Sequence, residues 1–440
     1  MSKVIFDSPD LYAGKFDFYS DGSSPKLLRE LSDFLMNNSN EISKICFASY
    51  LFNNEKLHQC FKDLNELGID IEVFSIPLEG YDNTKPKRII DLQSRNDVFP
   101  NVMSKYDLAY PIYEEMKNID IDGYTLYVFP HMYIRSEWVN PFSRGAMPYS
   151  LHTKSIYIKL KNGKSYSALT SSNLAVRDLV KDECLLILEN DEEACRSSEA
   201  FFSALKDNSI LVRDFDENAS YYDYQIALKP YDRHTNNLFT APFFEDSPVV
   251  AENRVTSLIK AAKERIYICA QHICAIDYTY IKGYETGRSD NERVEKAGFL
   301  SEVLKKAEEG LDVRCVSQTF VDSNGNTHGC RRPQNTAGFR KFIGRYSQQK
   351  NAKYAANESV HSKYIIIDDT LIVTTCNFTP TQFIYLKHVD IPKFKKIPNI
   401  SYKGIHSEVG QFIFIENPKA CKVFKKNFEY LWDKKNTFHY

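Results

Sequence analysis

Apolar positions along the chain switch repeatedly between two periods. In "SPKLLRELSDFLMN", residues 24–37, Leu27, Leu28, Leu31, Phe34 and Leu35 recur three and four residues apart. That spacing predicts an amphipathic helix, with Ser24 placed to cap it. The apolar run "SKICFASYLF" follows and reads as a buried strand. "NEKLHQCFKDLNELGI" reads as a second amphipathic helix ended by Gly68, and "DIEVFSIP" as a strand. The second half repeats this succession. "ENRVTSLIKAAKE" predicts a helix, "RIYICAQHI" a strand, "AGFLSEVLKKAEEGL" a helix ended by Gly310, and "DVRCVSQTF" a strand. Each half then closes on a helix, "DEEACRSSEAFFSALKD" in the first and "NPKACKVFKKNFEYLWDKK" in the second. Strand–helix–strand alternation predicts an α/β fold whose sheet is mixed, largely parallel and flanked by helices. Its repetition predicts two pseudo-symmetric lobes, residues 1–215 and 216–440, related by an approximate two-fold axis.

Two long stretches interrupt the pattern. Residues 78–150 and 322–357 carry the Gly and Pro punctuation of long loops ("LEGYDNTKPKR", "VNPFSRGAMP", "DSNGNTHGCRRPQNTAG"). Each lies just upstream of the same phrase. In "SLHTKSIYIKLKNGKSYSALTSSN", His152 and Lys154 open a strand, an Asn-Gly turn reverses it, and the return strand ends at Asn173. In "VHSKYIIIDDTLIVTTCN", His361 and Lys363 open a strand, the chain turns at "DDT", and the return ends at Asn377. Residues two apart on a strand face the same way. Each hairpin therefore presents an imidazole, an ammonium, a hydroxyl (Ser171 or Thr375) and a carboxamide together, the groups needed to attack a phosphodiester and hold its non-bridging oxygens. One such His-x-Lys on a strand is an ordinary solvated strand end. Two copies inside the same succession of elements point to a site.

Composition adds limits. The 440 residues are 43% hydrophobic and 26% charged, as in a soluble globular protein. The net charge of −2 hides an asymmetry: residues 1–220 carry 24 Lys and Arg against 34 Asp and Glu, leaving 32 against 24 in the second half. A basic half suits a phosphate-rich partner, or simply attraction between the two halves. The ten cysteines form no C-x-x-C pair, which argues against a zinc or redox motif and for reduced thiols in a cytoplasmic protein. No signal peptide and no apolar run of transmembrane length is expected.

At this point the chain resembles the phospholipase D superfamily, whose signature is His-x-Lys, four residues, Asp, then a Gly-Ser-x-Asn-like return strand, usually twice. "HSKYIIID", His361 to Asp368, matches the first part and "TTCN" stands at the second. "HTKSIYIK" matches His and Lys but has Lys159 where the family has Asp, and "TSSN" matches the return. The resemblance implies an orienting acid after each asparagine. Glu183 fills that place in the first half, with Asp182 as a substitute, and Glu408 in the second. The missing Asp is shared with tyrosyl-DNA phosphodiesterases, whereas lipid-acting members generally keep both. The family's Asp is largely a structural residue near the turn, so Asp368 reads as turn support.

The resemblance implies catalysis without metal or cofactor. Lys154, Lys363, Asn173 and Asn377 would hold the phosphate oxygens. One imidazole would form a covalent phosphohistidine while the other acts as acid and then base. The resemblance favours His152 as nucleophile and His361 as acid, and pseudo-symmetry keeps the reverse assignment open. Arg331 and Arg332 in "GCRRP", and Arg340 and Lys341 in "GFRKFIGRYSQQKNAKY", sit beside Phe342, Tyr346 and Tyr354. This mixture suits contact with a nucleic-acid strand, and equally an amphipathic helix with a solvated face. His272 and His406 read as satisfied strand-end residues, and Phe424, Phe428 and Trp432 as core. The functions in contention are a nuclease or end-processing phosphodiesterase with nucleic acid as substrate, a phospholipase D or phosphatidyl transferase acting on phospholipid, and a non-catalytic relic. The two intact His-Lys-Asn sets argue against the last.

Overall fold

The computed structural model describes residues 3–8, 26–78, 105–129, 151–175, 181–216, 227–244, 247–271, 273, 278–280, 293–295, 299–318, 320–321, 327–328, 351–357, 359–378, 386–387, 405–406, 408–434 and 437–439. The chain divides into two compact units, Met1–Ala227 and Leu228–Tyr440. In the first, β1 (Lys3–Asp7), α1 (Lys26–Asn37), β2 (Ile42–Ala48), α2 (Glu55–Glu66), β3 (Asp70–Ser75), α3 (Lys105–Asn118), β4 (Tyr124–Val128), β5 (Ser155–Leu160), β6 (Ser165–Thr170), β7 (Glu183–Glu189), α4 (Glu192–Asp207) and β8 (Ile210–Leu211) follow in order. In the second, β9 (Asn237–Thr240), α5 (Ser247–Ala261), β10 (Arg265–Ala270), α6 (Phe299–Glu308), β11 (Asp312–Ser317), β12 (Ala352–Ala356), β13 (Tyr364–Ile367), β14 (Thr370–Thr374), β15 (Gly410–Glu416), α7 (Pro418–Asp433) and β16 (Phe438–His439) follow.

The two sheets have one topology. The first runs β1-β7-β6-β5-β2-β3-β4-β8, and the second β9-β15-β14-β13-β10-β11-β12-β16. Adding eight to each strand number of the first reproduces the second. Both sheets are mixed. The pairs β2/β3, β3/β4, β10/β11 and β11/β12 are parallel. The parallel portion is thus three strands per unit, smaller than strand–helix alternation predicts. The reason is local: the hairpin strands β5/β6 and β13/β14 fold back through tight turns and must pair antiparallel.

Six of the seven described α-helices form where periodicity predicts them, and their ends have identifiable causes; α3 and β4 instead fall inside residues 78–150, the stretch read as a long loop. Asn54, Asp191 and Asn417 cap α2, α4 and α7 by accepting backbone N–H bonds. Gly68 (φ 83°) and Gly310 (φ 101°) take the left-handed conformation after α2 and α6. Ser24 lies outside the described residues. Leu27, Leu28, Leu31 and Leu35 of α1 are buried, as are Leu57, Phe61 and Leu64 of α2. In the second unit Ile266, Ile268, Ile365, Ile367, Phe412 and Phe414 share one core. Phe424 and Phe428 are fully buried. Trp432 is only half-buried, stacked on Phe428 at 5.7 Å between ring centroids, because it sits in the last turn of α7. The basic–aromatic stretch also departs from expectation at its end. Ala352–Ala356 is strand rather than helix, and Tyr354 is 1% exposed with its hydroxyl bonded to Ser317, so it is core and no stacking platform.

Asp368 explains how the second hairpin is fastened. Its backbone is left-handed (φ 50°), which a non-glycine residue adopts at a cost. Its carboxylate accepts N–H bonds from Lys263 (2.8 Å), Glu264 (2.9 Å) and Arg265 (3.0 Å), the residues that enter β10. Burial works to raise its pKa, but those N–H bonds outweigh it and hold the carboxyl below its usual range. The first unit puts Lys159 here, exposed and paired with Glu199 at 3.1 Å, and turns its hairpin on Gly163 (φ 84°) instead. Asp368→Ala should therefore destabilise the chain by about 1–2 kcal/mol in denaturant unfolding. A lowered folded pKa gives stability that is present above the unfolded carboxylate pKa and is lost as pH falls through the folded one. The difference between wild type and variant should shrink over that acidic window.

Candidate active site

The predicted half-sites sit where β5/β6 and β13/β14 meet β7 and β15. Residues 152–154 and 361–363 do not belong to strands. They are the extended residues immediately before β5 and β13, a shift from the sequence expectation. The pairing of His and Lys survives by another route. Each lysine side chain turns back, so that Lys154 Nζ donates to the His152 carbonyl at 3.0 Å and Lys363 Nζ to the His361 carbonyl at 2.6 Å. Both lysines are at most 1% exposed. An ammonium so nearly removed from water requires polar company.

The asparagine ends are fastened by two matching sets of hydrogen bonds. Thr170 N donates to Lys154 O and Thr374 N to Lys363 O, both at 3.0 Å. Ser171 N donates to Cys184 O (3.0 Å) and Thr375 N to Gln411 O (3.1 Å). The Thr170 and Thr374 hydroxyls donate to the same two carbonyls, at 2.9 and 2.7 Å. They accept in turn from Ser172 N (3.1 Å) and Cys376 N (3.0 Å). The Ser171 and Thr375 hydroxyls each accept, at 2.9 Å, from the N–H of Cys184 and of Gln411. Both hydroxyls, proposed from sequence as substrate contacts, are thus engaged with the neighbouring strand and fully buried. Such agreement, bond by bond, makes Ser171 and Thr375, and Cys184 and Gln411, equivalent positions.

That equivalence separates the two proposed orienting acids. Glu183 is buried in β7, and its carboxylate accepts from the Ser171 hydroxyl. Its counterpart one residue before Gln411 is Gly410. Glu408 lies two residues earlier, half-buried at the entry to β15. A side chain at 410 has no room: an added Cβ would fall 2.0 Å from Cys376 Sγ. In the second unit that sulfur occupies the space that the acid fills in the first. Asp182 is also buried, next to Glu183.

The histidines differ as well. His152 is half-buried and meets the edge of the Tyr50 ring at 5.9 Å. His361 is 5% exposed. Asn173 is half-buried, whereas Asn377 is 7% exposed and its buried Oδ1 has no hydrogen-bond partner among the described residues. Leu174, next to Asn173, is left-handed (φ 54°). It is held there by Ser172 Oγ on its N–H (2.8 Å) and by Asn54 Nδ2 on its carbonyl (2.6 Å). Tyr50 and Asn54 escaped the sequence reading because they sit inside segments legible only as strand and helix start. His272, Arg331, Arg332, Arg340 and Lys341 lie outside the described residues. His406 belongs to a short strand, Ile405–His406, paired with Leu386–Lys387. Gln271 is buried and donates to Gln318 Oε1 at 3.0 Å. The eight described cysteines are buried, and none forms a disulfide among the described residues. Among the described residues no group of three His, Cys, Asp or Glu forms a metal site, and no helix is long and apolar enough to cross a membrane.

No family model and no curated protein matches the chain. Solved structures do match. A phosphatidylserine synthase from Haemophilus influenzae Rd KW20 is 11% identical, over 94% of this chain and 86% of that one, with a TM-score of 0.57. A polyphosphate kinase from Porphyromonas gingivalis is 9% identical over 99% of this chain, at a TM-score of 0.49, and this chain spans 51% of its length. The yeast tyrosyl-DNA phosphodiesterase is 10% identical, over 94% of this chain and 89% of that one, at 0.42. At such identities the likeness is one of fold.

The steric account of Gly410 has a direct check. Gly410→Ala should cost about 1–3 kcal/mol, since overpacking strains a filled core. Removing the obstructing sulfur in the double variant Gly410→Ala/Cys376→Ala should recover part of that loss. Chemical denaturation of the four species gives the coupling, and strictly additive costs would contradict the account.

Proposed function

We propose, for a chain that has the fold of the phospholipase D superfamily, that it is a phosphodiesterase acting through a covalent phosphohistidine, with nucleic acid as its substrate. The observation that carries this reading is the duplicated set His152–Lys154–Asn173 and His361–Lys363–Asn377, braced by the same hydrogen bonds in both units. In the proposed reaction an imidazole nitrogen of His152 attacks phosphorus. A P–N bond forms as the bond to the leaving oxygen breaks, and His361 gives that oxygen a proton. His361 then takes a proton from water, whose oxygen attacks phosphorus and releases His152. Lys154, Lys363, Asn173 and Asn377 hold the non-bridging oxygens as their charge redistributes. The scheme uses no metal and no cofactor. Glu183 and Glu408 are the proposed orienting acids. The greater exposure of His152 favours it as the nucleophile.

Nucleic acid is favoured by the basic second half and by Lys159 in place of the first motif's Asp. Arg331, Arg332, Arg340 and Lys341 are the proposed strand contacts. A second reading, a phospholipase D or phosphatidyl transferase acting on phospholipid headgroups, is favoured by the likeness to the phosphatidylserine synthase. A cytoplasmic location belongs to the same proposal.

Two experiments test this. Pure protein with EDTA present is incubated with labelled single- and double-stranded DNA, RNA and phosphatidylcholine vesicles. Cleavage of nucleic acid is the expected result, and cleavage of lipid alone would hand the case to the second reading. Separately, His152→Ala and His361→Ala should each lower turnover by at least about a thousandfold. Full activity in either variant would refute a two-histidine mechanism.

A further inference from the structure

The second unit enters its histidine through a buried asparagine turn, at a position where the first unit has Phe129. In the first, Phe129 N donates to Ser75 O (2.8 Å) at the end of β4, and the chain does not reach His152 until 23 residues later. At the equivalent place in the second, Asn357 N donates to Ser317 O (2.9 Å), and His361 follows only four residues on. Asn357 is 2% exposed and Ser359 is 0% exposed. Asn357 Oδ1 accepts from the Ser359 N–H (2.9 Å) and the Ser359 hydroxyl (2.7 Å), closing a tight turn. Its Nδ2 donates to Thr437 Oγ1 at 3.1 Å. Thr437 Oγ1 donates onward to the carbonyl of Leu431, in the last turn of α7, at 2.9 Å. From the same segment, Lys434 Nζ donates to Ser359 Oγ at 3.1 Å. β16 then pairs with β12 through Ala355 and Ala356.

We infer that Asn357 is a positioning residue for His361, its carboxamide clamping the turn that enters the histidine to the segment that follows α7. The two ends of this clamp, Asn357 and Thr437, are 80 residues apart in sequence. The bonds within the turn are buried and those to Thr437 and Lys434 partly buried, so removing one side weakens a link that water replaces only in part. Asn357 and Ser359 then lose the bonds that fix them ahead of His361. Because His361 follows Val360 directly, its imidazole loses its place before anything else in the unit. A reacting group must be held within a fraction of an ångström to work at full rate. The first unit has Phe129 where the clamp residue stands, so the effect is confined to one histidine.

The inference rests on the reading of His361 as a reacting group, and its test separates the two. The full chain is labelled with carbon-13 at histidine Cε1, and the His361 signal is assigned among the ten histidines through His361→Gln. Asn357→Ala and Thr437→Val should move the His361 resonance and its titration midpoint, leaving that of His152 in place. Thr437→Ser, which keeps the hydroxyl, should match wild type. On bis(p-nitrophenyl) phosphate the first two variants should lose about tenfold in kcat with KM changed by less than about twofold. Unmoved His361 signals in folded Thr437→Val would overturn the inference, as would Thr437→Ser behaving like Thr437→Val. If Asn357→Ala does not fold, Thr437→Val decides alone. If wild type cleaves no phosphodiester, the proposed function fails, and the resonance still decides whether the clamp positions His361.

Discussion

A lysine ammonium held almost entirely out of water is the constraint around which each unit is arranged. Leaving such a charge uncompensated is among the most expensive things a fold can do. Lys154 and Lys363 meet it in the same way, by folding back on the carbonyl of the histidine two residues before. That contact ties the ammonium to the backbone that carries the imidazole. It also requires the return strand to close over it, which Thr170 and Thr374 do by bonding to the lysine carbonyls. The asparagine ends, and the strands β7 and β15 that brace them, follow from this closure. The proposed phosphodiester substrate rests on reading this cation and carboxamide together as the seat of an anion.

The duplication is the same in topology but not in detail, and the differences are where the halves specialise. At the strand position before Cys184 or Gln411, the first unit has an acid held by Ser171, and the second has a glycine packed under Cys376. At the hairpin turn, the first has an exposed Lys159 and the second an Asp368 that collects three backbone N–H groups. Between the end of the parallel strands and the histidine, the first has 23 residues from Phe129 to His152 and the second only four from Asn357 to His361. At the first and third of these places one half uses hydrogen bonds where the other uses packing or chain length. Two histidines with unlike surroundings are suited to unlike tasks, one as nucleophile and one as acid and base.

Much of this was legible in the sequence because it depends on local chemistry. Helical spacing of Leu27, Leu28, Leu31 and Leu35, the glycines at 68 and 310, and the repeated His-x-Lys and Asn phrases are all properties of neighbouring residues. The two antiparallel hairpins were legible from their turns, but the other antiparallel pairs, β1/β7, β6/β7 and β2/β5 and their counterparts, were not, since no tight turn joins their strands. Nor was the inequivalence of Glu183 and Glu408. Sequence places each acid before an apolar strand, but only the pairing register with Ser171 and Thr375 shows that Gly410 holds Glu183's position. Tyr354 was misjudged because a charge beside an aromatic looks alike on a helix and on a strand with one buried face. Asn357 and Thr437 were invisible for the plainest reason: 80 residues separate the two ends of one hydrogen bond.

The central claim is that a histidine of this pair becomes bonded to phosphorus. Phosphohistidine survives alkali, so the direct measurement is a rapid alkaline quench of protein turning over a phosphodiester, followed by peptide mass spectrometry. The account predicts a phosphoryl-linked adduct on the peptide carrying His152, absent when His152 is replaced by Asn. Turnover at full rate with no adduct on either His152 or His361 would contradict it.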